Sequence, residues 1–534
     1  MKQEIKNLIK KTLKKLNYSH SEEFSVDYPK VEGFGDYTTN IAMILAKGLK
    51  KNPIEVAESL KSGFNDLKKP DFEDIFEKIE VVKPGYINFY LSSGYLQKKV
   101  EEINKLGEKY GDSEINSGKK TQIEFISCNP TGPVHLGNGR GGPIGDILAN
   151  ILAKTGSEVT REFYVNDFGN QVEILGHSIL KDGLAEYKGD YVDELAKKRD
   201  KKMTDPMEIG NWAAGEIMET FIKPTLEKAN IHFDVWFSEK KLHEKNKIAE
   251  AIELLRKKGL TYEKDGALWY KSTEFGDDKD RVMEKSNGKN TYLATDFAYH
   301  QDKIGRGFDK IINIQGADHH KEAEVVKNFV ERVLGAEGKI DYILSQIVRV
   351  IKDRKEVKMS KRRGVYFALD DLIDEVGIDA VRFIFASYAA NSHINFDINV
   401  AREKSEKNPV YYVQYAHARI ASILAKSKVH QVHQVSKAGG DLGLLTHEKE
   451  LGLIRELDRF PELIEEISKS YEVHKLPYYA IKLADKFHSF YNDLTVLDEE
   501  KPELTAARLK LVNAVRIVLA ETLRLIGVSA PSKM

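Results

Sequence analysis

The chain of 534 residues has one cysteine, Cys128, so no intramolecular disulfide and no multi-cysteine zinc site can be built from it. A reducing cytoplasm suits such a composition. No apolar run approaches the ~18–20 residues of a membrane span, and the amino-terminal stretch has no signal-peptide core. Residues 1–16 are lysine-rich, with Ile5, Leu8, Ile9, Leu13 and Leu16 near one face. Glu4 and the lack of serine and arginine there favour an ordinary domain-opening helix over a transit peptide. An excess of one charge is also missing: 82 basic residues face 83 acidic ones. A nucleic-acid partner would therefore have to be held by local basic patches and not by the overall field.

The length exceeds what one core supports, and three or four units are expected. Residues 1 to about 110 read as a small α+β unit, with helices at the start and around Ile41–Lys50 and one alternating strand near Val81–Leu91. The polar stretch Gly111–Lys120 separates it from a second unit, 111–400, which opens on the buried-strand pattern Thr121–Ser127. A glycine loop follows, then helical spacing of Ile144, Ile147, Leu148, Ile151 and Leu152 up to Gly156, then a strand at Val159–Val165. Strand, glycine loop, helix and strand make a βαβ unit, and the fold class is α/β with a doubly wound parallel sheet. The highly charged stretch from about 181 to 290 reads as an insertion between halves of that sheet. Alternation resumes at Ile311–Ile314 and Ile343–Val350. Residues 401–534 have helical periodicity and form an all-α unit; Val429–Gly440 reads as a loop without chemistry.

Two tetrads carry the chemistry. His135-Leu136-Gly137-Asn138 lies in the glycine loop, and Lys358-Met359-Ser360-Lys361 lies in a stretch, Arg349 to Arg363, with eight basic residues against two acidic ones. Either alone has a bland reading, a backbone-capping histidine or a solvated basic face. Together they resemble the two signatures with which class I aminoacyl-tRNA synthetases grip ATP, and a reaction at its α-phosphate needs the triphosphate held in line and its growing charge neutralised. Gly137 and Gly139 would let the backbone approach the nucleotide. Gly316-Ala317-Asp318-His319-His320 follows a strand and should lie where ligands bind; no third or fourth ligand at a persuasive spacing supports a metal there, and nucleotide contact by Asp318 and His319 is the expectation. Cys128 reads as a small strand-end residue and not a nucleophile.

From Glu124 to His135 the sequence Glu-Phe-Ile-Ser-Cys-Asn-Pro-Thr-Gly-Pro-Val-His resembles the strand and signature loop of arginyl-tRNA synthetases, class I aminoacyl-tRNA synthetases, and the resemblance extends over essentially the whole chain. Asn138 stands where that signature usually ends in histidine, a departure that an amide donor can still serve. The resemblance implies a Rossmann-type catalytic domain with an insertion, an amino-terminal tRNA-binding domain and a carboxy-terminal anticodon-binding domain. It implies His135, Asn138, Lys358 and Lys361 as catalytic groups, with Pro133, Gly137, Gly139, Asp318, His319, Met359 and Ser360 on ATP. Tyr292-Leu293-Ala294-Thr295-Asp296 and the segment Phe233–Glu239 resemble elements that meet arginine, so Tyr292, Asp296 and Glu239 are expected on its guanidinium, with Ser127, Asn129 and nearby Glu124 at its other end. A guanidinium wants planar carboxylate partners, which suits these acids. Tyr412, Tyr415 and Arg419 share a helix face, and with Met534 they are the expected RNA contacts. Magnesium with ATP, L-arginine, tRNA(Arg), no membrane partner, a monomer and a cytoplasmic setting complete the expectation. The resemblance also implies that tRNA is needed before arginine is activated. A class I synthetase for another amino acid, or a catalytically silent RNA-binding relative, is the alternative.

Overall fold

The computed structural model describes residues 1–18, 23–31, 33–65, 74–357, 368–429 and 440–534. Ile5, Ile9 and Leu13 fall on one stripe of the helix Lys2–Lys15 and are buried against the helix Pro53–Asn65. Strands β1 (Val26–Asp27), β2 (Tyr37–Thr39), β3 (Phe76–Val82) and β4 (Tyr86–Leu91) form an antiparallel sheet in the order β1-β2-β4-β3. The single strand expected at Val81–Leu91 is thus two strands. Pro84 cannot donate to a ladder and Gly85 takes a positive φ of 144°, so the chain reverses there.

Five strands, β5 (Lys120–Glu124), β6 (Glu158–Val165), β7 (Val235–Ser238), β11 (Lys310–Gly316) and β12 (Ile340–Ser345), run parallel in the order β12-β11-β5-β6-β7. From β5 the chain builds to one side through β6 and β7, then crosses to β11 and β12 on the other. The crevice between the carboxyl ends of β5 and β11 is therefore the topological switch point. Burial on both faces explains the near-continuous run Ile311-Ile312-Asn313-Ile314. The helix Gly141–Lys154 packs so close to β5 that a Cβ on Gly145 would lie 2.3 Å from the Phe125 ring.

The stretch 181–290 does more than interrupt the sheet, because β7 lies within it. Four half-buried residues at a sheet edge leave no periodic signal among charged neighbours. The same stretch holds a separate antiparallel sheet, β8 (Thr261–Lys264), β9 (Ala267–Tyr270) and β10 (Arg281–Glu284), whose core is shared with Phe297 and Phe329, stacked at 4.0 Å. The alternation Ile343–Val350 is likewise split. It leaves β12 at Ser345 and resumes in β13 (Val348–Lys352), which pairs with β14 (Lys355–Glu356) and β15 (Ile394–Asp397).

The remaining chain is mainly helical: Pro409–Val429, Glu448–Asp458, Phe460–Ser470, Lys475–Asp493 and Pro502–Ile526. Most of the loop expected at Val429–Gly440 lies outside the described residues. Arg382, fully buried, ties this bundle to the parallel sheet. It donates to the carbonyls of Ile526 (2.8 Å), Ala229 (3.0 Å) and Asn230 (2.9 Å) and pairs with Asp146 Oδ2 at 2.5 Å. Gly527 ends the last helix at φ +74°, where a Cβ would lie 2.2 Å from Arg382 Nη2. Gly527→Ala should lose about 1–3 kcal/mol or more in thermal or denaturant unfolding, from the left-handed backbone and the displaced guanidinium together. Gly452→Ala, inside the helix Glu448–Asp458 with nothing within 4 Å of its Cβ, should be neutral or stabilising.

Candidate active site

The chain leaves β5 through two consecutive non-glycine residues in left-handed conformation, Ile126 (φ 69°) and Ser127 (φ 37°). A β-branched residue there costs on the order of 1–3 kcal/mol, so its surroundings must enforce the shape. Ser127 Oγ accepts from Tyr164 N on β6 at 3.1 Å, and the Asn138 amide reaches the Ile126 carbonyl at 3.5 Å, a long contact. The strain turns the loop back across the switch point and aims residues 127–139 at the carboxyl edge of the sheet. His135 caps the short helix Leu136–Gly139: its Nδ1 accepts from Gly137 N at 3.1 Å, which puts the proton of the neutral ring on Nε2. Lys358, Met359, Ser360 and Lys361 lie outside the described residues. Ala368 forms a β-bridge with His135, and Leu369 N donates to Val134 O at 2.8 Å, so residues 368 and 369 lie against the first signature.

Beside this loop is a concentration of carboxylates. Glu124 ends β5 and is buried, with Oε2 held by Lys303 Nζ at 2.6 Å. Glu239 follows β7 and is 4% exposed; burial, and then the charge of Glu239, raise the Tyr164 phenol well above its ordinary value, and His243 Nε2 lies 3.6 Å from Glu239. Asp296 sits one turn into the helix Tyr292–Gly305, on the same face as Tyr292, which is 60% exposed. Burial, then the charges of Glu124 and Glu239, push the Asp296 carboxyl up to about 7. Asn129 donates to Gln171 Oε1 at 2.5 Å.

The structure thus brings Glu124, Ser127, Asn129, Glu239, Tyr292 and Asp296 around one end of the crevice, with His135 and Asn138 along it. Asp318 and His319 follow β11 at the same edge, their side chains 84% and 59% exposed. Cys128 is buried and its thiol is pushed up to about 12, which leaves it unreactive. Sequence reading overlooked Lys303, His300 and Asn313, all buried around the acids, and the half-buried Tyr164. Of these only Tyr164, near the carboxyl end of a strand, carried a positional signal.

In the helical bundle, Tyr415, Arg419 and Met534 line an open groove of about 820 Å³ together with Tyr491. Arg419 Nη2 donates to the Tyr415 hydroxyl at 2.6 Å and lies over both rings. Tyr412 is turned away from it, bonded to Asp485 at 2.7 Å and packed on His488.

A parallel sheet of this order, with a histidine-bearing glycine loop at its switch point and a helical bundle behind, defines a class I aminoacyl-tRNA synthetase. The chain matches the arginyl tRNA synthetase N terminal domain over residues 3–91, the class I (R) tRNA synthetase catalytic domain over 99–203 and 185–389, and the DALR anticodon binding domain over 413–534. It is 40% identical over 555 residues to the arginine–tRNA ligase of Carboxydothermus hydrogenoformans, covering 99% of this chain and 98% of that one. The arginine–tRNA ligase of Bacillus subtilis is 40% identical over 561 residues, covering 100% and 99%. The arginyl-tRNA synthetase of Thermus thermophilus superposes over 100% of each chain with a TM-score of 0.78 at 22% identity, a likeness of fold. The chain belongs to the arginine–tRNA ligase family and is an ATP-dependent aminoacyl-tRNA ligase.

With Asp296 as a partner of the guanidinium, the role proposed below, its raised carboxyl predicts a pH dependence for arginine binding. A guanidinium favours the ionised carboxylate, so affinity is full above about 7 and falls by roughly tenfold per pH unit below it, with proton release on binding near neutrality. Calorimetric titration of arginine between pH 5.5 and 8.5 measures this, and Asp296→Asn should weaken binding and flatten the profile.

Proposed function

We propose that Glu239, Asp296 and Tyr292 select the arginine guanidinium, while Ser127 and Asn129, with Glu124 beside them, receive its α-amino and carboxylate end. The observation that carries this reading is the charge imbalance of the pocket: Glu124, Glu239 and Asp296 are set against one buried lysine, Lys303. A cationic side chain corrects that imbalance, and an anionic or neutral one does not.

The arginine carboxylate then attacks the α-phosphorus of ATP, the bond to the bridging oxygen of the β-phosphate breaks, and pyrophosphate leaves. Pro133, Gly137, Gly139, Asp318 and His319 hold the nucleotide. His135 and Asn138 donate to its phosphates, and Lys358 and Lys361, flanking Met359 and Ser360, neutralise the charge that grows on the leaving group. In the second step a hydroxyl of the terminal tRNA ribose attacks the arginyl carbonyl and AMP leaves. The groove at Tyr415, Arg419 and Met534 receives splayed bases, with Tyr412 behind it. Magnesium bound with ATP would supply the further positive charge that three phosphates need. The enzyme works as a monomer in the cytoplasm.

ATP–pyrophosphate exchange with each of the twenty amino acids, with and without total tRNA, tests this. Arginine alone should support exchange, and only when tRNA is present. Exchange with any other amino acid overturns the pocket assignment, and none at all overturns the catalytic one.

A further inference from the structure

Lys303 is fully buried, with Nζ 2.6 Å from Glu124 Oε2, 2.8 Å from Asn313 Oδ1 and 4.2 Å from the Tyr299 ring centre. Lysine is buried so deeply only where it is paired. It stands seven residues beyond Asp296 on the helix Tyr292–Gly305, hence on the same face. Between them, His300 Nδ1 bonds the Asp296 carbonyl at 2.8 Å and its Nε2 accepts from Asn313 Nδ2 at 2.8 Å. Burial lowers the His300 imidazole to about 3, so this ring stays neutral and adds no charge. Ammonium, amide and imidazole thus form one row beneath the carboxylates, and Lys303 is the only cation in it.

Resting on the arginine reading above, we infer that Lys303 is a positioning residue that sets the charge of the amino-acid pocket. By pairing with Glu124 it fixes that carboxylate and cancels its charge. Glu239 and Asp296 remain as the carboxylates that a cationic substrate must satisfy. The groups facing Asp296 are Glu124 from β5, Glu239 after β7, Glu322 from the helix His320–Asn328, Lys303 from its own helix, and the buried hydroxyls of Tyr164 and Tyr342. Only Lys303 among them favours the ionised form. Without it, Asp296 holds its proton to higher pH and the guanidinium loses a partner at neutrality.

The test is the pH dependence of the arginine and ATP KM values in full-length Lys303→Met. The midpoint of the arginine profile should rise by about one pH unit, with arginine KM about fivefold higher at pH 7, converging on wild type at high pH, and ATP KM unchanged. An unmoved midpoint, or arginine and ATP KM rising together, overturns the proposal. A single variant that leaves Glu124 buried and unpaired can fail to fold, so Lys303→Met/Glu124→Gln is measured beside it. With both charges gone the midpoint should return to the wild-type value, and a raised midpoint there also overturns the proposal. Asp296→Asn, run in parallel, isolates the underlying reading: an unchanged arginine KM in that variant refutes the pocket itself, whatever Lys303 does.

Discussion

A buried guanidinium on a buried carboxylate, Arg382 on Asp146, joins parts of the chain far apart in sequence. Asp146 belongs to the helix that begins directly after the signature loop, and Arg382 also holds the last carbonyl of the final helix. Losing either partner would strand a charge in the interior at a cost of about 3–5 kcal/mol. The loop is therefore fixed from two sides: Gly145 lets its helix sit against Phe125, and Arg382 anchors that helix to the bundle. Arg140, at the junction of loop and helix, adds a third tie, donating to the carbonyls of Gln346, Ala389 and Ser392. Burial without a carboxylate lowers its guanidinium only to about 10, so it remains a cation.

With the frame held this way, the site separates two charges that would otherwise attract each other. Arginine is cationic at its far end and ATP is a polyanion. The acids gather where β5, β7 and the helix Tyr292–Gly305 meet, and the signature loop presents backbone N–H groups and the His135 imidazole. A chain whose total charge is −1 can therefore be strongly polarised inside one crevice.

How much of this was legible in the sequence differs by element. Glycine spacing and helical period revealed the loop and the helix Gly141–Lys154, because both depend on local rules. The two tetrads were visible as motifs, whereas the pairing of Ala368 with His135 joins segments far apart in sequence and left no local signal. Lys303 and His300 were not singled out, because no local signal says that this face of the helix Tyr292–Gly305 is turned inward onto β5. β7 was too short to register, and Gly85 hid a hairpin inside what looked like one strand. Each of these is fixed by contacts between distant segments, which periodicity cannot report.

Adenylate formation with citrulline in place of arginine tests the central claim most directly, since citrulline keeps the shape of the side chain and replaces its charge with a neutral urea. A pocket built from Glu239 and Asp296 should discriminate against it by about 10³-fold or more in kcat/KM, because two buried acceptors would lose their charged partner. Comparable rates for the two would contradict the account, and selection would then have to rest on shape and not on the carboxylates.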